Sequence, residues 1–221
     1  MAYRILFIDE QKKYQNNFLD YVEQKNIEDV EAIVKYPESS IDDMINVVNE
    51  ELADAVVTDF RLNEYKTDIK YNIDYDGADL LHSLRERRKG FPCFILTSYD
   101  GDAVDESQDV NMVYDKSVIN PYTEKSERVS FLEKIIKQID HYRKTIDNAE
   151  KELCDLIEKR SKEEASLEDE ERLIELDNFL ESSVDRRGEI PAEFKELSNQ
   201  NRLSELIKKA DEIISKYETI S

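Results

Sequence analysis

The side chains best suited to chemistry stand at the ends of four short apolar runs. They follow those runs in the order Asp9, Glu10, Asp59, Thr97 and Lys116. Runs that are apolar throughout indicate parallel strands buried on both faces, and such sheets bind ligands beyond the carboxyl ends of their strands. We therefore expect the five side chains to converge on one crevice.

Three of these five side chains are carboxylates, which repel one another at neutral pH. A cluster of Asp9, Glu10 and Asp59 therefore requires protons or a cation. Mg²⁺ fits, because it prefers oxygen ligands and binds a few carboxylates together with phosphate oxygens. A carboxylate can also attack phosphorus and form an aspartyl phosphate. Since Asp59 stands alone at its strand end, we expect it to be the nucleophile, and the adjacent pair to hold the metal with it.

The two remaining side chains are hydrogen-bond donors. Negative charge on a transferred phosphoryl group needs donors opposite the metal, and the Thr97 hydroxyl and the Lys116 ammonium supply them from the next two strands. The predicted catalytic residues are therefore Asp59, Thr97 and Lys116.

With these residues in this order, the chain resembles the receiver domain of two-component response regulators. The segment Asp76–Leu81, which opens a helix, matches the family as well. The resemblance implies a flavodoxin/CheY-like doubly wound five-stranded parallel sheet over residues 1–121 and a dependence on Mg²⁺. It also implies phosphorylation of Asp59 by a histidine kinase or phosphotransfer protein, with no enzymatic activity beyond self-catalysed phosphotransfer and dephosphorylation. The resemblance further implies that the backbone carbonyl of Arg61 completes the set of metal ligands.

The chain departs from the family pattern in four places. Residues 63–75 are an insertion, which we expect to be a solvated excursion rather than a lid or partner-docking element. Residues 99–109 have too few apolar side chains for more than a short helix. Val113 occupies the place of the usual switching aromatic residue, with Tyr114 displaced by one. Ser117 replaces the usual Pro, so the customary cis peptide loses its main support. These departures predict intact phosphoryl chemistry with an altered output.

Residues 122–221 have the composition of long helices, dense in Glu, Lys, Leu and Ile. We predict an all-α helical hairpin or coiled-coil module, with a second helix capped by Ser166 and a final helix over residues 203–217. A heptad seam runs through Ile135, Ile139, Tyr142, Ile146, Ala149, Leu153 and Leu156. It must be buried either in an intramolecular bundle or across a homodimer of parallel rods, of which we favour the dimer.

Composition excludes several classes of function. The net charge of -21 opposes binding to DNA or RNA, and no apolar stretch approaches membrane length. We therefore expect a cytoplasmic protein without nucleic-acid or membrane partners. Cys93 and Cys154 fit reduced thiols rather than a disulfide or a zinc site. His82 and His141 are isolated, so neither is expected to bind metal, and only His141 remains a remote candidate for phosphotransfer.

Three functions fit these observations. The first is a signalling receiver whose output is interaction with a protein partner, or with a second copy, through the carboxyl-terminal helices. The second is a phosphoryl sink or relay intermediate that needs no output. The third is a receiver-like scaffold that never accepts phosphate, and the complete set of site residues argues against it.

Overall fold

The computed structural model of the chain describes residues 2–63, 72–98, 112–120, 129–162 and 164–184. Within these residues the strands are β1 Tyr3–Ile8, β2 Val30–Lys35, β3 Ala55–Asp59, β4 Cys93–Thr97 and β5 Val113–Asp115. The α-helices of the same residues are α1 Lys12–Lys25, α2 Ile41–Glu50, α3 Gly77–Arg87, α4 Phe131–Ser161 and α5 Leu167–Val184.

The five strands form one parallel sheet in the order β2-β1-β3-β4-β5. This is the flavodoxin-like doubly wound order, which places its binding crevice between β1 and β3. In the β3–β4 ladder, Asp59 lies opposite Leu96, and in the β4–β5 ladder Thr97 lies opposite Asp115. The predicted fold class is confirmed, and the polar residues follow strands that are neighbours in the sheet.

Helices cover both faces of the sheet, as the all-apolar strands predict. One face buries Leu6, Ile8 and Val56 against α2 and α3. The other face buries Ile5, Phe7 and Val57 against α1 and the first turns of α4. Each face removes from water a set of large aliphatic and aromatic side chains, and this burial is the main term that stabilises the sheet.

The described part of the insertion is not a solvated excursion. Ile73 and Tyr75 are 8% and 6% exposed and belong to the core that includes α2 and α3. The Tyr75 hydroxyl donates to the Glu38 carbonyl at 2.7 Å. The returning limb of the insertion is thus packed onto the domain. The lid or docking role concerns residues 64–71, which lie outside the described residues.

The carboxyl-terminal helices begin as predicted. Ser166 and Asp169 form a reciprocal cap: the Asp169 N–H donates to Ser166 Oγ at 3.1 Å, and the Ser166 N–H donates to Asp169 Oδ2 at 3.0 Å. An apolar cluster then packs α4 against α5, with its buried members being Ala149, Leu156 and Leu176. The helical hairpin is therefore present, while the predicted final helix over residues 203–217 lies outside the described residues.

Five of the seven residues of the heptad seam are buried within the single chain, and Ile146 and Leu153 are partly buried. Ile135 and Ile139 are fully buried in the core that includes α1, and Ala149 and Leu156 are buried between α4 and α5. These intramolecular contacts favour the alternative of a bundle within one chain for the seam, and the oligomeric state stays a prediction.

The chain divides into two compact units, Met1–Ile146 and Asp147–Ser221. The sheet lies in the first unit, which includes the first half of α4. The composition-based division at residue 121 stays a prediction. In the ranges that the structure describes, no helix is both long and apolar enough to cross a lipid bilayer.

Candidate metal and phosphoryl site

Four of the predicted site residues meet at the carboxyl ends of the strands. Asp9 and Glu10 directly follow β1, Asp59 ends β3, and Lys116 directly follows β5. Oxygens of Asp9, Glu10 and Asp59 all lie within 4.8 Å of one another. The Lys116 ammonium lies 2.9 Å from Asp9 Oδ2 and 3.0 Å from Asp59 Oδ1. The site therefore clusters three carboxylates and places one ammonium in contact with two of them.

The other two predicted residues lie beside this cluster. Thr97 is 1% exposed at the end of β4, the strand between those that carry Asp59 and Lys116. Arg61 is half-buried two residues after Asp59. Their roles as hydroxyl donor and as carbonyl ligand stay predictions.

Burial makes the carboxylates costly to ionise. Desolvation raises the pKa of Asp9 to about 6, with Lys116 opposing the shift and the charge of Asp59 adding to it. Burial, with the charges of Asp59 and Asp9, raises the pKa of Glu10 to about 8. The pKa of Asp59 is also raised by burial, although Lys116 opposes the shift. Burial and mutual repulsion therefore favour a shared proton or a bound cation within the cluster.

Lys116 stays charged inside the cluster. Burial lowers its pKa, but the neighbouring Asp59 and Asp9 outweigh this and raise the pKa above its ordinary value. One ammonium thus compensates only part of the negative charge that three acidic groups can carry. A further cation would complete the compensation.

The residues present fit a hard divalent cation such as Mg²⁺. Glu10 Oε2 is buried and receives no donor from the described residues. Buried polar atoms are rarely left without a partner, and such an atom beside two carboxylates matches the all-oxygen ligand set that Mg²⁺ takes. Asp9, Glu10 and Asp59 could hold the ion together.

Contacts with the backbone and close packing hold Asp9 and Asp59 in place. The Gln11 N–H donates to Asp9 Oδ1 at 2.8 Å, and the fully buried Gln15 amide donates to the Asp9 carbonyl at 2.9 Å. A Cβ on Gly77 would lie 2.1 Å from the Asp59 carbonyl oxygen, so only glycine lets α3 begin this close to β3. The Gly77 N–H donates to the Phe60 carbonyl at 2.7 Å.

Sequence reasoning missed Gln15 and Tyr14 as site residues. A glutamine on the inner face of a helix is unusual, since buried positions there favour apolar side chains, and that signal was available for Gln15. Tyr14 gave no such signal, although its ring centroid lies 3.9 Å from Lys116 Nζ.

Two of the departures from the family pattern, at Tyr114 and at Ser117, lie within the described residues. Tyr114 packs on Phe131 and Phe94, with ring centroids 4.8 and 6.3 Å away. No peptide bond of the described residues is cis, including the bond between Lys116 and Ser117. The expected short helix over residues 99–109 lies outside the described residues.

No family model matches the chain, and no curated protein matches it. Among solved structures, the chain is similar to the RcsB response regulator of Salmonella typhimurium, with 17% identity over 53% of this chain and 54% of that one, at a TM-score of 0.41. It is similar to the anti-anti-sigma factor PhyR of Bartonella quintana, with 11% identity over 67% and 51% of the two chains, at 0.45. A third is the receiver domain of RcsB from Escherichia coli, with 16% identity over 54% and 85%, at 0.41. The chain spans about half the length of the first two.

Proposed function

We propose that this chain is a receiver of two-component signal transduction that accepts a phosphoryl group on Asp59. The observation that carries the proposal is the contact of Lys116 with Asp59 and Asp9 inside a buried cluster of three carboxylates. Asp59 lies in contact with the Lys116 ammonium and beside Asp9 and Glu10, which could hold a metal ion with it. The phosphoryl group comes from a phosphohistidine of a histidine kinase or phosphotransfer protein.

Each residue of the site has a role in this transfer. An Asp59 oxygen attacks phosphorus, the bond between phosphorus and the histidine nitrogen breaks, and the electron pair leaves with the imidazole. Lys116 and the Thr97 hydroxyl compensate the charge on the phosphoryl oxygens. Asp9, Glu10, Asp59 and the Arg61 carbonyl would hold Mg²⁺, which would supply positive charge to the phosphoryl oxygens. The chain would catalyse its own phosphorylation and dephosphorylation and no other reaction.

The output that we propose is an interaction with another protein through the helical residues beyond the sheet. The net charge of -21 opposes a nucleic-acid output. Exposed acidic and basic side chains on α4 and α5 form ion pairs such as Arg172 with Glu152 at 2.7 Å, which suits a solvated helical surface.

Phosphorylation of the full chain by acetyl phosphate and Mg²⁺, followed by intact-mass measurement, tests the proposal. We expect the parent chain to gain one phosphoryl group and Asp59→Asn to gain none. Asp20→Asn removes the same charge from an exposed position on α1 and should behave as the parent does. Phosphorylation of Asp59→Asn at the parent's level would disprove the assignment of the acceptor.

A further inference from the structure

The Lys116 ammonium contacts three groups among the described residues. Two are the carboxylate oxygens of Asp9 and Asp59, and the third is the face of the Tyr14 ring, whose centroid lies 3.9 Å from Nζ. An ammonium has three N–H donors, so each can be directed at one of these groups. Since Lys116 is only 8% exposed, the ring acts on a largely desolvated cation. Cation–π attraction is strongest under that condition.

Tyr14 is held in this place by its helix. It lies in the first turn of α1, next to Gln15, whose amide donates to the Asp9 carbonyl at 2.9 Å. One turn further along α1, Phe18 stacks on Phe7 of β1 with ring centroids 4.7 Å apart. The same helix therefore ties the ring both to the acidic pair and to the sheet.

We propose that Tyr14 is a positioning residue for Lys116 in phosphoryl transfer, an inference that rests on the proposed function. The ring occupies a side of the ammonium that neither carboxylate occupies. It keeps water from that side and keeps the remaining N–H groups directed at Asp9 and Asp59. A donor fixed before the reaction stabilises the charged transition state better than one that must reorient.

The step that this arrangement favours is attack on a phosphodonor. With acetyl phosphate, an Asp59 oxygen forms a new bond to phosphorus, the bond between phosphorus and the acetate oxygen breaks, and acetate leaves with the electron pair. Lys116 then faces the phosphoryl oxygens that carry the developing charge. Tyr14 touches neither phosphorus nor the leaving group, so its effect passes through the ammonium.

The test compares Tyr14→Leu with Tyr14→Phe in the full chain. Leucine keeps much of the apolar bulk but has no aromatic face, whereas phenylalanine keeps the ring and loses only the hydroxyl. We expect phosphorylation by acetyl phosphate in Mg²⁺ to be about tenfold slower in Tyr14→Leu, and the rate to be restored in Tyr14→Phe. Equal rates in Tyr14→Leu and the parent, or equally slow rates in both variants, would overturn the positioning role.

A spectroscopic measurement checks the contact without any reaction. The Tyr14 ring current should shift the Lys116 side-chain protons upfield in the parent and in Tyr14→Phe, and the shift should vanish in Tyr14→Leu. An unchanged spectrum in Tyr14→Leu would overturn this inference but not the proposed function.

Tyr3→Leu is the matched control for the rate of phosphorylation. It removes a ring next to Arg143 at the opposite end of β1 and should leave the rate unchanged. A parent chain that takes no phosphate at all would instead overturn the proposed function.

Discussion

At the scale of single residues, Glu10 is the group whose charge the site compensates least. Its Oε2 receives no donor from the described residues, whereas Asp9 and Asp59 both contact Lys116. Its pKa of about 8 means that the folded protein holds a proton there that the unfolded chain has lost above about pH 4.3. Through this group, the stability of the metal-free protein falls as the pH rises toward 8.

Mg²⁺ should reverse that loss, because the ion requires ionised carboxylates and competes with the proton. We expect the increase in Tm caused by Mg²⁺ to be larger at about pH 8 than at about pH 6. In Glu10→Gln, which mimics the protonated side chain, the metal-free protein should lose less stability over the same range. Thermal unfolding with and without Mg²⁺ measures both. A pH dependence of Tm identical in Glu10→Gln and the parent would show that Glu10 does not carry the proton.

The sequence could predict these residues because their positions follow from strand ends. Asp9, Asp59 and Lys116 each follow or end a short apolar run, and the strand order makes them neighbours. Tyr14 could not be predicted in the same way. An aromatic side chain near the start of an amphipathic helix usually packs in the core, and its approach to Lys116 depends on how α1 lies against the loop after β5.

At the scale of elements, the junction of β3 and α3 fixes the acceptor. Gly77 allows the first turn of α3 to rest on the backbone of Asp59, and Asp76 and Asp79 cap that turn reciprocally. The Thr58 hydroxyl donates to the same Asp59 carbonyl at 3.0 Å. The acceptor's backbone is thus held by its own strand and by the helix that follows.

We expect Gly77→Ala to destabilise the protein by roughly 1–3 kcal/mol, because the added methyl group would lie 2.1 Å from the Asp59 carbonyl oxygen and the backbone would have to move. Urea unfolding measures the free energy. His82→Ala, an exposed change on the same helix, should stay within about 0.5 kcal/mol of the parent. Equal stability of Gly77→Ala and His82→Ala would mean that α3 does not begin as close to Asp59 as the structure shows.

Elements were predictable where the apolar pattern was regular. The Ser166 cap and the seam of α4 followed from spacing alone. The packed limb with Ile73 and Tyr75 did not, since its two apolar residues stand among polar ones and a polar segment is expected in solvent. The heptad pattern also could not predict which surface covers the seam, because a heptad repeat specifies burial but not whether the covering surface comes from the same chain.

At the scale of the whole molecule, the described residues leave little exposed apolar surface that could drive self-association. The seam residues are buried or partly buried within one chain. The described residues expose only Leu52, Ile157 and Leu167 as large apolar side chains. Single exposed residues of this kind are normal on monomers. The charge of -21 adds a repulsion between copies that salt screens over about 8–10 Å.

We therefore expect the full chain to sediment as a monomer of 26.0 kDa at low and at physiological salt. Sedimentation velocity should give the same mass with Mg²⁺ and beryllofluoride, a phosphoryl mimic, because the site does not share residues with the seam. The matched variant Leu156→Asp places a charge in the cluster between α4 and α5 and should lose helical content and stability without forming a different oligomer. A dimeric parent that Leu156→Asp converts to a folded monomer would instead place that leucine in an interface between two copies.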